Sequence, residues 1–188
     1  RLIGGTYVEL LRNLPPLVII FIFYFFVGDQ ILPALGIEDF IRNADKSTQR
    51  LFAVFFAPPS LFTAFLSALI TLSVFEGAYI TEIVRAGIQS ISHGQTEAAM
   101  SIGLKPGQVL KLVIFPQALR VIVPPLTSQM LNLTKNSSLA VAIGYPDFVS
   151  VAGTAINQTG QAIEGVALIM MVYLIFSLST SAFMNWYN

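Results

Sequence analysis

Five polar side chains recur at helical spacing within an apolar stretch in the second half of the 188-residue chain. Their positions fall at i, i+1, i+4, i+7 and i+8, which share one face of an α-helix. Amides and a lysine ammonium can replace water around a zwitterion, so this face could line a solute pathway. It could instead hold neighbouring helices together by hydrogen bonds. The sequence favours the pathway and leaves the other interpretation open. The five residues are Ser128, Gln129, Asn132, Lys135 and Asn136.

A carboxylate is the second unusual group in an apolar stretch. Glu76 is followed three residues later by Tyr79, and both are candidate pathway residues. A charge at membrane depth costs about 2.5–3.5 kcal/mol, so it usually faces a protein interior or water. Glu76 could pair with the ammonium of a substrate, with a basic side chain or with a partner subunit, or it could carry a proton. The sequence does not choose among these.

The overall composition indicates a membrane protein. Hydrophobic residues make up 55% of the chain and charged residues 11%, whereas soluble domains carry about 25% charged residues. Ten basic residues balance ten acidic ones, which gives no reason to expect nucleic acid as a partner. The chain lacks cysteine, and its single histidine, His93, cannot form a metal centre alone. We predict neither catalytic residues nor a metal site.

Four stretches are long and apolar enough to cross a bilayer, which needs about 20 residues per helix. We therefore predict an all-α, multi-spanning fold. Aromatic residues at the end of the last span, Trp186 and Tyr187, suit the headgroup region. The predicted spans are residues 14–32, 61–74, 116–136 and 166–183, and the helical pattern of the second span continues to residue 88.

The connections between the spans are polar or interrupted. Residues 28–59 form a long outer loop, and within it residues 40–56 are predicted as one amphipathic helix at the interface. This loop could contact a binding protein or simply lie on the membrane. Residues 137–165 mix short apolar runs with glycine and proline, which favours a broken, partly interfacial segment.

The distribution of basic residues predicts the orientation of the chain. Cytoplasmic segments of membrane proteins carry an excess of lysine and arginine. Both ends of the chain and the loop at 89–111 are therefore predicted to be cytoplasmic. Near the membrane, Glu82 and Arg85 are spaced for an intrahelical ion pair. The basic residues on this side are Arg1, Arg12, Arg85, Lys105, Lys111 and Arg120.

The loop at 89–111 has the pattern of a short helix with a defined end. Residues 96–102 suit a helix, Gly103 suits the left-handed position after it, and Pro106 can begin the next one. Two small residues, Ala98 and Ala99, stand beside the anionic Glu97. Small side chains permit close approach of another backbone, so this protruding helix suits a groove on a partner.

The same loop resembles the EAA loop of ABC importer permeases. The shared pattern is Glu97-Ala98-Ala99, three residues, Gly103, nine residues, then Ile-x-Leu-Pro ending at Pro116, with valine and phenylalanine here in place of Ile and Leu. Other segments are similar to the polar amino acid permeases among them. These segments are YVELLR at 7–12, GAYITEIVRAGIQSI at 77–91, PQALR at 116–120 and KNSSL at 135–139.

The resemblance implies a type I importer permease domain over 1–188 that lacks one N-terminal span of a five-helix core. It implies that the EAA loop, 89–111, couples the pore to two ATP-binding subunits, with Glu97, Ala98, Ala99, Gly103 and Pro116 as the coupling residues. The further expected partners are a second permease subunit (a copy or a paralogue), an extracytoplasmic solute-binding protein and an amino acid substrate. ATP and magnesium would be bound by the partners, and the complex would lie in the inner (plasma) membrane.

Two alternatives stay open at this point. The chain could be an ABC permease for another small solute, such as an inorganic anion. It could also be a membrane-embedded enzyme that uses Glu76 and Lys135 as an acid–base pair, although such an enzyme would not need the EAA loop. The sequence has no phosphate-binding loop of the GxxxxGK[ST] type, so we do not expect this chain to bind ATP itself.

Overall fold

The computed structural model describes residues 2–187, without the side chains of residues 2, 3, 37, 38, 185 and 187. Within these residues the chain consists of helices and contains no strand. In chain order the elements are α1 (Leu2–Asn13), α2 (Pro16–Phe23), a π-helical segment (Tyr24–Ile31), α3 (Leu32–Ala34), α4 (Ile37–Asn43), α5 (Lys46–Phe55), a 3₁₀ turn (Pro59–Leu61), α6 (Phe62–Gln89), α7 (His93–Ser101), α8 (Pro106–Val109), a π-helical segment (Leu110–Ile114), α9 (Phe115–Asn136), a 3₁₀ segment (Ser137–Ile143), α10 (Phe148–Thr159) and α11 (Ala162–Tyr187).

The predicted all-α, multi-spanning fold is confirmed. Four helical segments are long and apolar enough to span a membrane, and each one overlaps a predicted span. Arg1, one of the predicted cytoplasmic basic residues, lies outside the described residues. Of the two aromatic residues at the end of the last span, Trp186 is largely exposed, and the side chain of Tyr187 lies outside the described part. The four segments are Pro16–Ala34, Pro59–Gln89, Pro106–Ile143 and Ala162–Met184.

Helix α6 lies at the centre of the bundle and packs against α1, α2 and α9. Small residues on its surface, among them Ala64, Ala68 and Ala78, are buried against neighbouring helices. Ile20 of α2 packs on the first two and Ile19 on the third. Small side chains at helix contacts let backbones approach closely, which is how helices associate in a membrane. α6 is therefore the helix that connects α1, α2 and α9 to one another.

The crossing of α6 and α9 depends on Gly87. A Cβ atom at this position would overlap Ile122 Cγ1 of α9. We expect Gly87→Val to lower the free energy of unfolding by about 1–3 kcal/mol, because overpacking displaces side chains and backbone. Thermal unfolding of the purified protein in detergent checks this. Adding Ile122→Ala should restore much of the loss, and equal instability of the single and double variants would contradict a local overlap.

One of the two sequence predictions for the connections is corrected by the structure. Residues 40–56 do not form one helix, because the chain is extended at Ala44 and Asp45 between α4 and α5. The Asp45 side chain accepts hydrogen bonds from the backbone N–H groups of Ser47 and Thr48, so it begins a new helix. The Thr48 hydroxyl donates to Asp45 Oδ1 as well, and this bond, together with the backbone bonds, holds the pKa of the Asp45 carboxyl below its usual value. The stretch 137–165 is broken, as predicted: α10 is separated from the 3₁₀ segment before it and from α11 after it by interruptions at Gly144 and Gly160.

Candidate functional sites

The helix of the EAA loop, α7, is held on one side and open on the other. Ala99 is buried against Val109 and Ile114, which follow it along the chain. Ala98 and Glu97, one and two residues earlier, are exposed. His93 is the first residue of the helix, and its Nδ1 atom lies 3.5 Å from Glu97 Oε1. The arrangement leaves an acidic, small-residue face of α7 exposed.

The helix ends as the sequence predicts. Gly103 has a φ of +87°, a left-handed conformation that favours glycine. The Leu104 N–H donates to the Ala99 carbonyl at 3.2 Å, which closes the last turn. Pro106 then begins α8, and its neighbour Lys105 donates its backbone N–H to Gln108 Oε1 at 2.9 Å. The start of α7, at His93, is three residues earlier than predicted.

Gly103 provides a test of this turn. We expect Gly103→Val to cost roughly 1–2 kcal/mol locally, because a β-branched residue disfavours positive φ. Hydrogen exchange of the α7 amides should then become faster. Gly103→Asn is the matched control, since asparagine tolerates this conformation better, and it should retain more protection. Equal exchange in both variants would show that the turn does not need a left-handed residue.

A glutamine that the sequence analysis did not single out joins the loop to the next span. Gln117 Nε2 donates to Val113 O at 2.9 Å and to Gln95 Oε1 of α7 at 3.3 Å. Pro116 beside it has no N–H, and the preceding turn is π-helical, with the Phe115 N–H bonded to Leu110 O. The exposed Pro116 thus stands where the loop becomes α9.

A buried polar contact joins α6 to α9. Gln129 Nε2 donates to Glu76 Oε2 at 2.6 Å. Glu76 is 3% exposed and Gln129 8%. The other carboxylate oxygen, Oε1, is buried and accepts no hydrogen bond from the described residues. Asn136 also lies beside this carboxylate.

The predicted polar stripe of α9 divides into two sides. Gln129 is buried and Asn136 half-buried against α6, whereas Ser128, Asn132 and Lys135 are exposed. One flank of the stripe therefore makes the interhelical contact that the sequence left open, and the other flank is an exposed polar surface; the solute pathway stays a prediction. Glu76 and Lys135, which the enzyme alternative would use together, form no ion pair with each other in the structure.

Tyr79 belongs to a different cluster from Glu76. Its hydroxyl donates to the Arg12 carbonyl of α1 at 3.4 Å, and the Arg12 guanidinium lies 5.5 Å from the centre of the Tyr79 ring. The predicted pair of Glu82 and Arg85 is confirmed, with 2.8 Å between Oε1 and Nη2. Arg12 Nη1 lies 4.0 Å from Glu82 Oε1. This cluster borders a cleft of about 390 Å³ between α6 and α9, which Pro125 also lines.

The described residues contain no group of three or more histidine or carboxylate side chains placed to hold a metal ion. The polar groups are instead distributed along two membrane-spanning helices and one exposed loop helix. These features define a multi-pass α-helical membrane protein. All residues from 1 to 188 match the family model described as "Binding-protein-dependent transport system inner membrane component". The chain belongs to this family.

Individual relatives agree with the family assignment. The chain is 57% identical over 124 residues to the General L-amino acid transport system permease protein AapQ of Rhizobium johnstonii, a match over 66% of this chain and 31% of that protein. It is 35% identical over 175 residues to the Glutamate/aspartate import permease protein GltJ of Escherichia coli K12, over 93% of this chain and 65% of that one. The aligned part is thus about a third of the first relative's length.

A solved structure has the same fold. It is a crystal structure of an amino acid ABC transporter with histidines, with a TM-score of 0.59 and 26% identity, over 97% of this chain and 89% of that chain. The resemblance to ABC importer permeases that the EAA loop suggested is confirmed.

Proposed function

We propose that this chain is the membrane-spanning subunit of an ATP-driven amino acid importer, in which the EAA loop transmits motion from ATP-binding partners to the pore. The observation that carries the proposal is the two-sided α7 helix. Ala99 fixes it to the span, while Glu97 and Ala98 stay free for a partner. Family membership and the names of the relatives support an amino acid as the substrate.

The hydrogen bonds provide a mechanical path from the loop into the membrane. A displacement of α7 acts on α9 through Gln95 and Gln117. It reaches α6 through the buried contact of Gln129 with Glu76. Packed helices joined in this way move together rather than deform continuously. Alternating access would then consist of a joint displacement of α7, α9 and α6.

The proposed assembly contains subunits that this chain does not supply. Two ATP-binding subunits would hold ATP and magnesium and bind the face formed by Glu97 and Ala98. A second permease subunit is supported by the relatives GltJ and GltK, two glutamate/aspartate import permease proteins of one Escherichia coli strain. A solute-binding protein would deliver the amino acid outside. In this scheme the complex lies in the inner membrane with the EAA loop in the cytoplasm.

The polar residues of α6 and α9 would form the solute pathway. The exposed flank with Asn132 and Lys135 offers an amide and a cation to a zwitterion or a carboxylate. Asn136 and Gln129 connect this flank to Glu76, and Tyr79 borders the cleft nearer the loop. A carboxylate-binding role for Lys135 and an ammonium-binding role for Glu76 would together suit an amino acid.

Uptake by proteoliposomes tests the proposal. The full-length protein is reconstituted with its ATP-binding subunits, its partner permease and its binding protein, and radiolabelled amino acids are offered one at a time. We expect accumulation of at least one amino acid that stops when ATP is omitted. Uptake of an inorganic anion instead would favour the other-solute alternative. Uptake that does not need ATP would contradict the proposal.

A further inference from the structure

The outer loop contains an apolar surface that the transport proposal does not use. It lies on α5 and consists of Leu51, Val54 and Phe55, which we name the α5 ridge. The exposed fractions are 78% for Val54 and 74% for Phe55, and Leu51 is also exposed. The three residues are spaced i, i+3 and i+4, so they form one continuous stripe.

Helix α5 is held where the second span begins. The Phe52 ring lies 6.4 Å from that of Phe62, and the Phe56 ring 6.3 Å from that of Phe65. Only two residues separate Phe56 from the span that starts at Pro59, a connection of about 7–10 Å. Since Phe62 and Phe65 occupy the first turn of α6, α5 must lie at the level of the bilayer surface.

The three sides of α5 carry three kinds of group. Phe52 faces α6, and the α5 ridge lies on a second side. The third side carries Lys46, Arg50 and Ala53, which are spaced i, i+4 and i+7 and are all exposed. Neither Lys46 nor Arg50 forms an ion pair with another side chain that the structure describes. A helix that lies on the bilayer surface beside a span has the span on one side, lipid on a second and water on the third. The three kinds of side chain on α5 suit these three surroundings.

We propose that the α5 ridge inserts into the outer leaflet of the bilayer and that Lys46 and Arg50 contact anionic lipid headgroups above it. An exposed apolar stripe in water would be unfavourable, whereas an interfacial helix buries such a stripe about 5–10 Å into the headgroup region. The long aliphatic parts of the two basic side chains allow their charged ends to reach the headgroups. The ridge thus anchors the outer loop to lipid, and the binding protein docks elsewhere.

Spin labels on α5 test this inference in the assembled full-length protein in lipid nanodiscs. Single cysteines replace Phe55 on the ridge or Ala53 on the opposite side, in a background without other cysteines. Both side chains are exposed, so neither exchange should disturb the fold. We expect the label at 55 to collide severalfold more with oxygen than with a water-soluble nickel chelate, and the label at 53 to show the reverse. Equal access of the chelate to both labels would overturn the proposal.

Two further measurements distinguish the bilayer from a protein partner and test the charges. Adding the solute-binding protein should leave the label at 55 unchanged; chelate access that falls only after this addition would mean that the ridge is a protein docking site. In nanodiscs with anionic lipid the label at 55 should lie deeper than in zwitterionic ones. The variant Lys46→Gln/Arg50→Gln should remove that difference, and a difference that persists would overturn the headgroup contact.

Discussion

Replacing Glu97 by lysine should abolish ATP-dependent amino acid uptake while the spans remain folded. Glu97 is exposed on α7, so the change leaves no buried group without a partner. At an interface, loss of a buried hydrogen-bonded charge costs about 2–5 kcal/mol. If a basic group of the ATP-binding subunit faces Glu97, the affinity of that subunit would fall about 30-fold or more, since 1.4 kcal/mol is tenfold. Uptake by proteoliposomes and co-purification of the ATP-binding subunits measure both effects.

A charge reversal elsewhere provides the matched control. Glu164 is an exposed carboxylate in the first turn of α11, on the membrane side opposite the EAA loop in the proposed topology. Glu164→Lys changes the net charge by the same amount and should retain both uptake and the ATP-binding subunits. If Glu97→Lys transports as well as Glu164→Lys, the face of α7 is not the docking surface.

Replacing Gln129 by leucine should destabilise the protein more than any other single change to the polar groups of α9. The substitution removes the hydrogen bond to Glu76 Oε2, while Oε1 already accepts none from the described residues. A buried group left without its partner costs about 1–3 kcal/mol, and a charged one more. Thermal unfolding in detergent measures the loss. Asn132→Leu is the matched control, because this amide is exposed, and it should change stability by less than about 0.5 kcal/mol.

A double variant separates the cost of an orphaned carboxylate from the value of the contact. Glu76→Leu together with Gln129→Leu removes both polar groups, and apolar replacements of a buried pair are often neutral or stabilising. We therefore expect the double variant to unfold at a higher temperature than Gln129→Leu alone. If the double variant is as unstable as Gln129→Leu, the loss of stability comes from packing and not from a carboxylate without a partner.

The spans and the EAA loop could be predicted from the sequence because local rules determine them. Apolar length fixes a span, and the glycine at 103 with the proline at 106 fixes the end of α7. The ion pair of Glu82 and Arg85 is equally local, since helical spacing alone brings the two side chains together.

The contacts between distant residues could not be predicted in this way. Helical spacing placed Gln129 and Asn132 on one face, but only the packing of α6 shows that the first is buried and the second exposed. The aspartate at 45 carries the N-cap signal that divides α4 from α5, but the amphipathic pattern over residues 40–56 concealed the break. Gln117 lies in the PQALR segment, but its contact with Gln95 could not be predicted, because it depends on where α7 folds back.

The side of the membrane that carries α7 is the most direct test of the account. Single cysteines at Ala98, in the EAA loop, and at Gln161, between α10 and α11, are exposed to a membrane-impermeant thiol reagent in spheroplasts that express the full-length protein. We expect Gln161→Cys to react in intact spheroplasts and Ala98→Cys to react only after the membrane is opened. Labelling of Ala98→Cys in intact spheroplasts would place α7 outside the cell, where no ATP-binding subunit can bind it.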